Sequence, residues 1–171
     1  MMKYNLMYLL AMLAICSTSA TAGGFYLGAS TGIVDVDVSG FDDAVNAGIL
    51  AGYDVYTREV LAVSVEAEFT TSISDGDVKI QGYKGDWDVD TQAAYIALRG
   101  GERAYIKVRY GVVHNDVTVK VAGFKRSESD TSGSWSGAIG WMFDDHWGIQ
   151  AEGTMLDSDA TYWNLGMKYQ F

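Results

Sequence analysis

The sequence predicts an all-β chain, an eight-stranded antiparallel up-and-down transmembrane β-barrel that follows an N-terminal signal peptide. Three observations carry that prediction. Apolar and polar residues alternate along about eight segments. No segment after the signal approaches the ~18 consecutive apolar residues of a membrane-spanning helix. Short turns alternate with long polar connections, as in a barrel with two unlike ends. The last stretch shows the alternation well. Trp163, Leu165, Met167, Tyr169 and Phe171 share one face; Tyr162, Asn164, Gly166, Lys168 and Gln170 share the other. Successive strand side chains point to opposite faces, so one face is apolar and one polar. The stretch stops on an aromatic without a tail, and its polar face carries a lysine. The apolar face is therefore expected to meet lipid and the polar face to line a narrow lumen.

The elements follow in order. Residues 1–22 read as a cleaved signal peptide: Lys3, an apolar run from Leu6 to Ile15, and the cleavage site Ala20-Thr21-Ala22. The barrel domain is then 23–171, a single domain. Cys16 is the chain's only cysteine, so no disulfide is expected in the mature protein. Ile15 is too bulky for the lipoprotein box that Leu13-Ala14-Ile15-Cys16 approaches. Pro is absent and the mean hydropathy is +0.03, a value that would be scored as soluble because alternation dilutes the apolar signal. The net charge of −10 argues against nucleic acid as a partner.

The first strand, Phe25 to Ile33, puts Phe25, Leu27, Ala29 and Ile33 outward. The second, Ala47 to Val55, puts Ile49, Tyr53 and Val55 outward and Asp54 inward, with Leu50 an apolar exception inside. The third is the clearest: Leu61, Val63, Val65, Ala67 and Phe69 against Ala62, Ser64, Glu66, Glu68 and Thr70. In the fourth, Thr91 to Leu98, the phase is ambiguous; Tyr95 is read as outward. The fifth sets Ile106, Val108, Tyr110 and Val112 against Tyr105, Lys107 and Arg109. The sixth turns Trp135, Ile139, Trp141 and Phe143 outward. The seventh has Trp147, Ile149 and Ala151 against Gln150, Glu152 and Thr154. The eighth is the terminal stretch. Short turns are expected at 56–59, 99–102 and 144–146. Long loops are expected at 34–45, 72–90 and 114–132, with a shorter one near Asp157. That order puts both termini on the periplasmic side.

Alternation throughout, a Sec-type signal and a terminus reading Lys168-Tyr169-Gln170-Phe171 resemble the small outer-membrane β-barrels: the OmpA transmembrane domain, OmpX-like proteins and opacity-type porin-family barrels. The hairpin around Trp141 and Trp147-Gly148-Ile149-Gln150-Ala151-Glu152-Gly153 is similar to that family too. The resemblance implies a protein of the Gram-negative cell outer membrane, without cofactor and without enzymatic activity. It implies Phe171 as the residue read by the barrel assembly machinery. It also implies a surface role, in envelope integrity, adhesion or binding through the three long loops, with no room for the peptidoglycan-binding domain of full-length OmpA. Outer-membrane lipids and lipopolysaccharide are the implied surroundings, and the barrel is expected to be a monomer.

Two residue sets are expected to matter. Asp54, Glu66, Glu68, Lys107, Arg109, Glu152 and Lys168 fall on inward positions and predict an interior ion-pair ladder that plugs the lumen, since buried charges persist when paired. Phe25, Tyr53, Phe143, Trp147, Tyr169 and Phe171 near one end, with Phe69, Tyr95, Trp135 and Trp163 near the other, predict two aromatic girdles. Trp87 and Tyr83 fall in a loop, where either a structural or a ligand-stacking role fits.

The alternatives are a small pore or transporter of hydrophobic compounds, a lipid A-modifying barrel enzyme and a soluble lipocalin-like carrier. An enzyme needs a serine within reach of His114 and Asp116, which Ser127 or Ser129 supplies only if the loop folds back. His146 reads as a solvated turn residue. Asp86-Trp87-Asp88-Val89-Asp90 starts like a calcium loop but lacks its glycine and distal glutamate. Lys120, Lys125 and Arg126 read as a basic loop tip suited to phosphate contacts.

Overall fold

The structure, a computed structural model, describes residues 24–36, 40–80, 83–121, 124–157 and 159–171. The signal segment with Cys16, and the expected mature start at residue 23, lie outside the described residues. Among the described residues nine strands follow one another: β1 (Phe25–Val36), β2 (Ala44–Arg58), β3 (Leu61–Ser74), β4 (Gly76–Ile80), β5 (Tyr83–Gly101), β6 (Ala104–Val121), β7 (Phe124–Met142), β8 (Trp147–Asp157) and β9 (Ala160–Gln170). Every pairing is antiparallel. The sheet runs β3-β2-β1-β9-β8-β7-β6-β5, and β3 pairs with β5 to close it into an eight-stranded barrel. The ninth strand, β4, lies beyond the rim and pairs with the far part of β5.

The barrel is inside-out relative to a soluble protein. Leu61, Ile106 and Met167 face outward at 40%, 66% and 53% exposure, while Glu66 and Lys107 are buried in the lumen. That removes the lipocalin-like reading, which needs the reverse. Inward tyrosines need room on the neighbouring strand, and glycines supply it. A Cβ on Gly52 would lie 2.2 Å from the Tyr26 ring, and one on Gly140 equally close to the ring of Tyr105. The short turns are tight. Gly101 has φ +122° in the β5–β6 turn, and a Cβ there would meet Ala104 O at 2.2 Å.

Among the described residues the expected long loops at 72–90 and 114–132 are strand instead, apart from Asp75. β6 and β7 are 18 and 19 residues long, whereas a crossing strand needs about 9–11. Their ladder continues without a register shift from Ala104↔Trp141 to Val121↔Phe124. The periodicity escapes a single-phase reading because the apolar phase inverts. From Ile106 to Val112 the even, outward positions are apolar. From Val113 onward Val113, Val117, Val119 and Val121 are apolar at odd, inward positions, and His114, Asp116, Thr118 and Lys120 face out. The lower half is thus oily outside, and the upper half is oily inside.

The same inversion explains the ambiguous fourth segment. In β5 Trp87, Val89, Ala93, Tyr95 and Ala97 face inward while Ile96 and Leu98 face outward. Tyr95 is thus an interior residue and not part of a girdle. Above the inversion the inner faces form one buried apolar cluster that includes Val34, Ala44, Val78, Trp87, Val113, Leu156 and Tyr162. At 34–45 β1 runs on to Val36 and β2 begins at Ala44. Between them Phe41 bridges to Val78, and Trp87 Nε1 donates to Asp42 O at 2.8 Å.

Candidate functional site

The lumen of the lower half is built around Arg109. Its Nη1 lies 2.7 Å from Glu68 and 3.1 Å from Glu66, its Nη2 pairs with Glu152, and its Nε donates to Ser136 at 2.8 Å. The guanidinium also stacks over the Tyr95 ring at 4.2 Å. One planar cation therefore serves three carboxylates from β3 and β8, a fork geometry that lysine cannot supply. Lys107 sits 3.1 Å from Glu66 and 3.5 Å from Glu152, and the Tyr26 hydroxyl donates to Glu66 at 2.5 Å. Asp54 stands apart. It accepts from Ser64 at 2.6 Å and pairs with Arg99 at 3.1 Å.

Lys168 does not join the ladder. Among the described residues no carboxylate lies within 4.0 Å of it, and its Nζ sits over the Tyr26 ring at 4.7 Å and the Tyr105 ring at 5.4 Å. Arg99, Tyr26, Tyr95 and Tyr105 also belong to the interior network. Arg99 lies near a turn, where facing is hard to read; Tyr95 passes for an interface aromatic; Tyr26 and Tyr105 fall on the inward face in the sequence, which gives them no partner there. With Arg99 included, the described lumen holds four cations (Arg99, Lys107, Arg109, Lys168) and four carboxylates (Asp54, Glu66, Glu68, Glu152).

A neutral polar layer caps the charges. Asn46 Nδ2 donates to Val89 O at 3.0 Å, Ser72 donates to Asn46 Oδ1 at 2.9 Å, and Thr70 and Thr91 share a hydrogen bond of 2.9 Å. Beside Lys168 a residual cavity of about 30 Å³ remains, lined partly by Ser30, Glu68 and Glu152. That is room for a water molecule, not for a solute.

The outward aromatics fall near the two barrel ends. At the short-turn end Tyr169 packs on Trp147 and Phe171 at 4.9 Å each, and Phe171 lies 5.4 Å from Phe25, with Tyr53 and Phe143 exposed nearby in the same zone. Toward the other end Phe69, Trp135 and Trp163 are exposed. His146 stacks on Tyr169 at 5.6 Å in the β7–β8 turn. There Asp144 accepts the N–H groups of His146 and Trp147 at 2.8 and 2.7 Å, and these bonds hold its carboxyl below the ordinary range.

His114 is in β6, not at the start of a loop. The hairpin folds back and sets His114 and Asp116 beside Thr131 and Ser129 on the outer face. His114 Nδ1 is 2.8 Å from Thr131 Oγ1, its Nε2 is 3.7 Å from Asp116, and Ser129 donates to Asp116. The serine in reach bonds to the carboxylate and not to the imidazole. A hydrolase needs the opposite, a nucleophile on the imidazole and the acid behind it.

The run Asp86–Asp90 is likewise strand: Trp87 and Val89 point in, and the three aspartates point out. Asp88 is 2.8 Å from Lys120, and Asp90 accepts from Thr71 at 2.6 Å. Among the described residues no three His, Cys, Asp or Glu side chains converge on a metal site. Tyr83 is exposed near the tip. The basic tip is split by the strand: Lys120 and Lys125 face outward as a cross-strand pair, while Arg126 belongs to the inner face beside Glu128 at 3.4 Å.

Comparison with known proteins follows the same architecture. Solved barrels of similar fold include neisserial surface protein A at 13% identity (TM-score 0.62, covering 86% of this chain and 97% of that one). OprG from Pseudomonas aeruginosa is similar at 14% identity (TM-score 0.61, 88% and 96%). Ail, the attachment invasion locus protein of Yersinia pestis, solved with the heparin analogue sucrose octasulfate, is similar at 17% identity (TM-score 0.58, 88% and 100%). No curated protein matches the sequence. The family model for the outer membrane protein beta-barrel domain matches residues 7–171. With an inside-out eight-stranded barrel, a charged lumen and that match over nearly its whole length, the chain belongs to the outer membrane protein β-barrel domain family, and its place is the cell outer membrane.

Proposed function

We propose that this protein is a closed, non-enzymatic surface barrel that acts through its extracellular extension, in adhesion or binding and in envelope integrity. The observation that carries this reading is the sheet β4-β5-β6-β7 standing beyond the rim, with β7 paired only to β6 over Phe124–Gly133. At about 3.4 Å per residue the β6–β7 hairpin reaches about 27 Å past Val113. A free strand edge with polar side chains is a ready template for a partner.

The outer face of the tip pairs Lys79 with Lys84 and Lys120 with Lys125 across the strands. Ail is known in complex with a heparin analogue, and these lysines make a sulfated polysaccharide the first partner to test, with lipopolysaccharide phosphates the second. In the membrane the partners are lipid around the outer wall and the barrel assembly machinery at the strand ending in Phe171. A closed barrel leaves no edge there that needs a second copy.

On this reading the ion cluster serves as a plug, and the outward aromatics serve as two girdles that seat the barrel at the lipid–water interfaces. Two measurements test the whole. Cells displaying the barrel bind immobilised heparin, and cells displaying a version with 115–130 replaced by a short turn do not, with heat-modifiable gel mobility retained in both. In planar bilayers the wild type gives no single-channel steps, and Arg109→Ala gives a leak. Steady wild-type conductance that is lost in Glu66→Ala would favour the pore reading instead.

A further inference from the structure

Above the polar cap the extension encloses a second cavity, of about 480 Å³. Ligand pockets typically run about 300–1,000 Å³. Its walls include Val34, Phe41, Trp87, Val89, Val117 and Leu156. This is the inner face created by the phase inversion, and it stands where the outer face is polar and wet. An oily chamber of that size, held open to water, favours an apolar occupant. No ladder joins β7 to β8 above Trp135↔Met155, so the wall is open on that side.

The charge of the rim selects the head group. Among the described lining residues Glu128 and Asp130 bring two carboxylates, against the single guanidinium of Arg126. The rim is therefore net negative.

We propose that the chamber binds a small cationic amphiphile, an aliphatic amine whose alkyl body lies against the Val–Leu–Trp wall and whose ammonium meets the rim carboxylates of Glu128 and Asp130. An ammonium group brings three donors and the complementary charge. Entry is from the extracellular side. The occupant is held, not passed through, because the lumen beneath is filled by the Arg109 cluster.

The test uses the barrel in nanodiscs of zwitterionic phosphatidylcholine, titrated calorimetrically with octylammonium, with empty nanodiscs as the reference. The expected result is a saturable one-site component above the reference, at least tenfold weaker for octanoate. Val117→Phe and, independently, Ala160→Phe fill the chamber and should each remove that component. Asp130→Asn keeps the volume and should weaken octylammonium about tenfold without weakening octanoate. Heat-modifiable mobility establishes that each variant is folded. Binding no different from empty nanodiscs overturns the proposal, as does saturable binding that survives both filled variants in folded form. Octanoate binding as tightly as octylammonium overturns the assignment of the head group.

Discussion

At the scale of single residues, Arg109 and Lys168 are both lumen cations, yet they differ in kind. Arg109 is ringed by Glu66, Glu68 and Glu152, so Arg109→Met leaves three buried carboxylates short of their counter-charge. The expected loss is about 3–5 kcal/mol, read from urea unfolding of the barrel in lipid vesicles. Lys168 lies over tyrosine rings, with no carboxylate within 4.0 Å among the described residues. Lys168→Met keeps the aliphatic stem and gives up cation–π contacts worth about 2 kcal/mol. Its stability should stay within that of the wild type by the same assay; a loss equal to that of Arg109→Met would show that Lys168 has an anionic partner in the membrane. Neither role is visible in the sequence, where both residues are simply inward lysine or arginine on a strand. Alternation says that a side chain enters the lumen, not whom it meets there.

At the scale of elements, the glycines opposite inward tyrosines and the turn aspartate carry the next predictions. Gly52→Ala places a methyl into the Tyr26 ring and dislodges its hydroxyl from Glu66. Overpacking of this kind costs about 1–3 kcal/mol, measurable by the same unfolding assay, and Ala is expected to be tolerated at Gly137, where nothing lies within 4 Å. In the β7–β8 turn Asp144 holds two N–H groups, and its carboxyl is lowered by them, the Trp147 bond first. A lowered folded-state value means that its contribution is present above the ordinary carboxylate range and is lost as pH falls through the lowered value. The amide resonances of His146 and Trp147 should therefore move together only below that ordinary range, and should lose that transition in Asp144→Ala. For the strands, the extent of β5, β6 and β7 was hidden because the apolar phase switches near Val112–Val113 and within Thr91–Tyr95. A reader who expects one phase per strand stops there and writes a loop.

At the scale of the molecule, the outward apolar wall has to meet lipid. Val65 lies in the middle of β3 with its side chain outward, and its inward neighbours Ser64 and Glu66 are buried in the lumen. Val65→Arg should destabilise the barrel by about 2–4 kcal/mol in vesicles, the cost of a cation near the bilayer midplane. A membrane-embedded photolabel should mark Val63, Val65 and Leu165 and spare Ser64 and Glu66. Labelling of the upper hairpin at Thr118 or Lys120 would contradict the division into a lipid-facing and a water-facing half.

Alternation by itself determined the architecture: about eight crossing strands, which face of most of them is oily, which end carries short turns, and most of the charges that enter the lumen, Arg99 excepted. Period-two patterning is local, and a bilayer enforces it on every crossing strand alike. Tertiary structure alone decided the rest. It pairs Asp54 with Arg99, strands that are not neighbours in sequence, and it leaves Lys168 among aromatic rings. It carries β5–β7 past the membrane and turns Trp87, Val89 and Val117 into the wall of a chamber. Those outcomes depend on barrel closure and strand stagger, which set what stands across the lumen, and no single strand contains that information.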